Sequence, residues 1–433
     1  MQTSRFLVHI YVIDNNVHAV SSALSRYPPI ETKVNEFTTN KLVASVTSKI
    51  RNYGFINQKR KNALCKRCSL ETACVVLRTK DPYCRSCFLK YATHKFRATL
   101  GKSKLVRPND RVLICSSGSQ SSVALLRFVA DGLSEQANKR FLFTPMVVYV
   151  DEGAIAGVSR EERLEAIKAA AVQAGHLSFP FYSVQLSNSL NLGTVRMDKV
   201  DSKGEGIDLS ERELVAGDEQ LLALFSGVTT LTAKEDLLGK IRHNLLVAVA
   251  KELHCNKMFL ADNGSHLAVA LISGVAAGRG ACLPSDCGFC DARDSAVMVL
   301  RPLKEFMSKE IAFFCVLNKL VPVTVPSLCT KASRMASIRR LTEDFLHGLQ
   351  ADFPSTFSSV IKTGDKLAPP MPAQQRCTLC KVSVVQEEER ECSSWLATRF
   401  SRQLVAMESS VDAGPWVTEG LCYGCRLTVA DMA

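Results

Sequence analysis

The chain is expected to fold as an α/β domain on a doubly wound parallel sheet, and three features of the sequence carry that expectation. Short apolar runs alternate with helical patterns between Arg111 and about Leu317, as strands and their crossover helices do. The helical stretches repeat apolar residues at three- and four-residue spacing. A turn of small residues, CSSGSQSS at 115–122, joins the first run to the first helical pattern, the place where backbone N–H groups and a helix N-terminus can face an anion.

In chain order, RVLIC (111–115), MVVYV (146–150), FYSVQL (181–186), KMFLA (257–261) and AVMVL (296–300) are the expected strands. The clearest helix is AKEDLLGKIRHNLLVAVAKEL, where Leu238, Ile241, Leu245 and Val249 mark a core-facing stripe. The polar stretch 198–213 reads as an exposed insertion and the Pro-rich stretch 364–375 as a linker. The expected organisation is therefore an unassigned extension (1–60), a zinc module with a basic helix (61–107), the α/β domain (108–363), the linker, and a C-terminal zinc module (376–433). The apolar run at Phe6–Ile13 is too short to span a bilayer, and no membrane partner is expected.

With 433 residues, 46% hydrophobic and 22% charged, the chain can bury a large core. Its 54 Lys and Arg against 42 Asp and Glu leave a net charge of +12, which favours a polyanionic partner because phosphate contacts release counterions. The 17 cysteines fall largely in C-x-x-C pairs, the spacing of metal ligands, and this argues for a reducing, cytoplasmic setting.

Cys65, Cys68, Cys84 and Cys87 form two such pairs at a separation suited to a tetrahedral four-thiolate zinc site. The intervening residues are expected to supply a strand and a turn at Asp81-Pro82, with Cys74 a buried spare thiol. Cys377, Cys380, Cys422 and Cys425 repeat the arrangement around a longer loop, and a second zinc ion would staple that end. Cys282, Cys287 and Cys290 have the C-x4-C-x2-C spacing that a three-thiolate cluster can use, but ordinary loop cysteines are the better explanation of them. Positive charge gathers on and just after the first zinc module, and Lys95, Arg97, Lys102 and Lys104 are the expected phosphate contacts, with Phe96 interleaved.

The ordered series CKRC, YCRSCFLKYATHKFRATLGKSKLV, VLICSSGSQSS, VDEG (150–153), KEDLLGKIRHNLL (234–246), GRG (278–280), RPLKE (301–305) and LCYGCR (421–426) resembles the cytoplasmic tRNA 2-thiolation protein 2 family. The resemblance implies a PP-loop (N-type ATP pyrophosphatase) fold and a heterodimer with a catalytic thiolase, tRNA 2-thiolation protein 1. That pair would place sulfur from the thiocarboxylated carrier Urm1 on the wobble uridine of tRNAs for Lys, Glu and Gln. Active members of the superfamily write the loop as S-G-G-x-D-S. Here Ser117, Gly118, Ser119, Gln120, Ser121 and Ser122 stand in those positions, so a glycine and the metal-supporting acid are replaced, and the residues leave ATP binding open.

Asp151, at the end of the next strand, is expected either to touch a ribose or to cap a helix. The C-x-x-C-G-x-x-x-R motif of active thiolases appears with Glu235 and Leu238 in place of its cysteines. The G-H-N-x-D-D motif appears as Ala261 to His266 without its paired acids. Three losses at three separate places imply a subunit that keeps the fold and lacks the reaction. The competing expectations are a chain that is itself an ATP-dependent tRNA sulfurtransferase, and a zinc-stapled protein-interaction module.

Overall fold

A computed structural model describes residues 63–77, 80–137, 139–201, 214–323, 325–330, 332–368, 375–384 and 420–432. The extension 1–60, most of the linker and the stretch between the two C-terminal cysteine pairs lie outside the described residues. The first half of the described chain contains β1 (Val75–Leu77), β2 (Asp81–Tyr83), α1 (Arg85–Ser103), β3 (Arg111–Cys115), α2 (Gln120–Leu133), β4 (Thr144–Asp151), α3 (Arg160–Gly175), β5 (Phe181–Gln185), β6 (Met197–Val200) and α4 (Leu214–Ser226). There follow α5 (Leu231–Glu252), β7 (Lys257–Phe259), α6 (Gly264–Ala276), α7 (Leu283–Cys287), β8 (Cys290–Asp291), β9 (Met298–Leu300), α8 (Ser308–Leu317), α9 (Ile338–Asp352), α10 (Thr356–Gly364) and α11 (Tyr423–Ala430).

The five apolar runs become the five parallel strands of a seven-stranded sheet ordered β6-β5-β4-β3-β7-β9-β8. The strand order reverses at β3, where β4 pairs on one side and β7 on the other. A crevice opens beyond the carboxyl ends of strands at such a switch point. Period-two alternation divides the sheet's side chains between two layers. Val112 and Ile114 of β3 join Phe128 of α2, Ile167 of α3 and Phe314 of α8 on one face, whereas Leu113 joins Leu221 of α4 and Leu245 and Val249 of α5 on the other.

Short antiparallel strands close both edges. β6 pairs with β5 (Val184 opposite Met197) and β8 with β9 (Asp291 opposite Val299). The expected insertion at 198–213 is corrected in its first residues: Asp198, Lys199 and Val200 lie in β6, Asp201 follows it exposed, and 202–213 fall outside the described residues. The expected turn at Asp81-Pro82 is also corrected, because these residues form β2 in register with β1, Leu77 opposite Asp81. The reversal falls just before them, where Lys80 N donates to Leu77 O.

Helix α1 joins the N-terminal module to the central domain. Phe88, Ala92, Phe96 and Leu100 recur every four residues and are all buried. Phe96 stacks on Phe128 with ring centroids 4.9 Å apart, and Phe88 meets Phe313 edge-on. The expectation that Phe96 interleaves with a nucleic-acid-binding face is therefore overturned: its ring has no exposed surface.

Candidate functional site

The two cysteine quartets share one local construction. In each, the first pair sits on a knuckle whose next residue has positive φ, Ser69 at 56° and Lys381 at 61°. The N–H of that residue closes the turn onto the carbonyl of Cys65 or Cys377, at 2.8 and 2.9 Å. A short bridge flanks each knuckle, Leu64 with Thr72 and Arg376 with Ser383. The second pair opens a helix, Cys84 as the N-cap of α1 and Cys422 as the N-cap of α11, so the sulfurs meet the positive end of the helix dipole.

Within each quartet all four sulfurs lie within 4.8 Å of one another. Tetrahedral zinc with Zn–S bonds of about 2.3 Å needs sulfurs about 3.8 Å apart, and the Cys68 to Cys84 separation is 3.8 Å. The donor set and its spacing fit a four-thiolate metal ion at either end. Cys74 is half-buried against the sheet core.

The C-terminal module is docked directly on the central domain. Thr428 of α11 and Arg279 both contact Asp236 of α5, as does Lys240. Asp431 accepts from the backbone N and the hydroxyl of Thr230, the N-cap of α5, at 2.8 and 2.7 Å. Arg293 donates to the Cys380 carbonyl at 3.2 Å and to the buried carboxylate of Asp291. Burial alone would raise the Asp291 pKa, but the hydrogen bonds and charge of Arg293 outweigh it and hold the carboxyl below its usual range. A depressed folded-state pKa gives stability that is present above the unfolded value and lost as pH falls through the folded one. We expect Asp291→Asn to destabilise the protein at pH 7 by about 1.5–3 kcal/mol, and this difference from wild type to shrink as pH falls below the ordinary Asp range, read from denaturation midpoints at a series of pH values.

Between the C-terminal quartet and the Ser-rich loop lies a cavity of about 980 Å³ at the carboxyl ends of the central strands. Several of its cations are matched by acids. Arg242 forms a two-point pair with Glu152, Arg301 lies 3.5 Å from Asp262, and Arg293 pairs with Asp286 at 2.6 Å. Burial lowers the pKa of His243 and His266, which favours neutral imidazoles on this wall.

The loop residues Ser117, Gly118, Ser119, Ser121 and Ser122 do sit together, at the N-terminus of α2, but they are engaged with each other. The hydroxyls of Ser117, Ser119 and Ser122 stand 3.1–3.2 Å apart, and Ser117 N donates to Ser122 Oγ at 3.1 Å. Gly118, at φ 73°, is covered by Val323: Val323 N donates to Gly118 O at 2.9 Å, and an added Cβ on Gly118 would meet the Val323 Cβ at 2.9 Å. Ser121, at the position of the lost acid, is buried and accepts from Asn263 Nδ2 at 2.9 Å. Ser265, at one position of the lost acid pair, is buried and accepts from Ser308 N at 3.1 Å.

Asp151 is not part of this group. Its carboxylate is buried, accepting from Gly153 N at 3.0 Å and Arg163 Nε at 2.8 Å, which overturns the ribose-contact expectation; neighbouring Glu152 lines the cavity instead. Glu235 accepts from the Cys329 thiol at 2.5 Å, and burial, followed by the charge and hydrogen bond of Glu235, pushes that thiol up to about 12. Leu238 is buried in the core. Of the three loop cysteines, Cys287 packs with Leu271 and Leu283, Cys290 packs against the sheet core, and Cys282 joins the C-terminal quartet. They do not form one cluster.

The four expected phosphate contacts separate into two kinds. Lys102 and Lys104 are exposed. Lys95 is corrected: its Nζ lies 2.9 Å from both carboxylate oxygens of Glu310 and 4.6 Å from the centre of the Phe306 ring, so its charge is spent within the fold. Arg97 is half-buried beside Phe141, 5.9 Å from the ring centre, and its Nε and Nη2 are buried.

These features define a doubly wound α/β domain of PP-loop type with a four-cysteine module at each end and a Ser-rich turn, free of acidic residues, at the N-terminus of α2. The fold matches that of the U34-tRNA thiolase NcsA from Methanococcus maripaludis, solved with its 4Fe–4S cluster, at TM-score 0.54 and 18% identity over 75% of this chain and 93% of that one. Residues 337–427 match the family model for cytoplasmic tRNA 2-thiolation protein 2. Proteins of that name from Danio rerio (34% identical, 86% of this chain and 88% of the relative) and, as form 2-B, from Xenopus laevis (32%, 85% and 88%) align over most of their length. The chain belongs to the cytoplasmic tRNA 2-thiolation protein 2 family. No described helix is long and apolar enough to cross a membrane.

Proposed function

We propose that the chain is a tRNA-binding, non-catalytic subunit of the cytoplasmic machinery that thiolates the wobble uridine of tRNAs for Lys, Glu and Gln. It works with the catalytic thiolase tRNA 2-thiolation protein 1, which uses sulfur carried by Urm1. The single observation that supports this most is the state of the phosphate loop: its hydroxyls satisfy one another, Val323 covers Gly118, and serines committed to buried hydrogen bonds stand at two acid positions. A carboxylate at these positions would hold the magnesium that neutralises a pyrophosphate. A sulfur-handling cluster does not fit either, because Glu235 and Leu238 replace two thiols beside Cys329. Zinc in each cysteine quartet would hold the ends of the chain in shape without entering the reaction.

The test uses the isolated chain, the isolated thiolase and the pair, each supplied with ATP, thiocarboxylated carrier and unmodified tRNA. Thiolated uridine is expected from the pair, and thiolation by the isolated chain would overturn the reading. The tRNA surface is assigned to the exposed end of α1. Changing Lys102 and Lys104 together to Gln is expected to weaken tRNA binding by the isolated chain and flatten the slope of log affinity against log salt by about 1.5. An unchanged slope would place the tRNA elsewhere. Lys95→Gln should instead act through stability, since its partner Glu310 is buried.

A further inference from the structure

The C-terminal quartet has a fifth sulfur beside it. The turn Gly280–Cys282, which belongs to the central domain, places the Cys282 thiol 3.9 Å from Cys380 Sγ, in the same buried cluster as the four cysteines. Two thiolates on one tetrahedral zinc ion stand about 3.8 Å apart. Cys380 and Cys422, both of the quartet, are 3.5 Å apart. Cys282 is therefore as near to Cys380 as two ligands of one ion are to each other.

The contacts around it keep it there. Cys282 is 2% exposed, its N–H donates to Arg279 O at 2.8 Å, and the Arg279 side chain reaches Asp236 and Thr428. From the other side Arg293 holds the Cys380 carbonyl. Two segments nearly a hundred residues apart in sequence thus hold two sulfurs 3.9 Å apart, with Cys282 standing just outside the four sulfurs that lie within 4.8 Å of one another, so that it reaches the ion by moving inward as Cys380 leaves. Cys380 also borders the cavity.

We propose that Cys282 is an alternate ligand of the C-terminal metal site and exchanges with Cys380. In the exchange the bond from zinc to Cys380 sulfur breaks and a bond to Cys282 sulfur forms. The thiol proton of Cys282 passes to the released Cys380 sulfur, so charge and oxidation state are conserved and no further reactant is needed. In one state the ion is held by the C-terminal module alone. In the other it joins that module to the central domain, and Cys380 becomes a free thiol on the cavity wall.

The inference rests on the reading of the quartets as zinc sites, and the experiment separates the two. Zinc per chain is measured by elemental analysis on the full chain and on Cys380→Ser, Cys282→Ser and the double variant. Wild type and both single variants are expected to carry two ions, and the double variant one. Fewer than two in wild type would overturn the zinc reading and the exchange with it. Two in wild type with one in Cys380→Ser would overturn the exchange alone.

Wild type also carries the test if Cys380→Ser fails to fold. Slow alkylation of the zinc-loaded chain, followed by native mass spectrometry, is expected to give a species alkylated at Cys380 that retains two zinc ions. Loss of an ion with every Cys380 alkylation would overturn the proposal.

Discussion

Replacing Cys84 with serine is expected to cost the chain one zinc ion and to unfold residues 63–83 locally. The segment has little else to hold it. Val75 and Leu77 are its buried aliphatic anchors, β1 and β2 have three residues each, and the Lys66–Asp81 pair is on the surface. Surface pairs contribute about 0–1 kcal/mol, whereas binding of structural zinc supplies roughly 10–16 kcal/mol in zinc-finger peptides. Cys84 also forms the N-cap of α1, so its loss removes a ligand at the point where the module meets the helix. The measurements are zinc per chain and protease cleavage within 63–83. Two ions, or wild-type protection of the segment, would count against the assignment. The core contacts of Phe88 and Phe96 should keep α1 itself in place.

Arg163→Met is expected to destabilise the central domain by about 3–5 kcal/mol, the cost of leaving buried charge without its partner. Arg163 bridges Asp151 at 2.8 Å and Asp218 at 2.9 Å, thereby fixing α3 to the end of β4 and to α4. Its stem packs so closely on Gly153 that a Cβ there would lie 2.4 Å from the Arg163 Cγ. The denaturant midpoint reports the loss. Since Asp151 accepts these structural bonds, a chain carrying Asp151→Asn should also lose stability. A variant at either position that changed tRNA affinity while leaving the midpoint unchanged would contradict the structural role.

The sheet was legible where strands are buried on both faces, because such strands must be continuous apolar runs: RVLIC, MVVYV and KMFLA each mark one. The edge strands were not, since MDKV and CD carry polar residues on a half-covered surface and are too short to show a period. Both quartets were legible because their cysteines come in local pairs. Cys282 was not, because only the tertiary fold brings it to Cys380. The basic helix shows a misreading that its own sequence could have corrected. Phe88, Ala92, Phe96 and Leu100 define a core stripe at four-residue spacing, and Lys95 lies beside it close enough to meet Glu310 from another helix. The loss of the acids was visible residue by residue, but the hydroxyl triangle that fills the loop depends on side-chain positions that no motif records.

The short edge strands limit how another protein can attach. Binding by strand addition needs a run of free backbone donors and acceptors along a sheet edge, and aggregation through an edge needs the same. Here one edge strand has four residues and the other two, and Asp291 on the latter is folded back onto Arg293. Neither is long enough to template a partner's β-strand. Among the described residues, a stable companion would therefore be recognised by helices, loops and cysteine modules through side chains, so that point substitutions on those surfaces, rather than backbone changes at the sheet, are what should separate the two proteins.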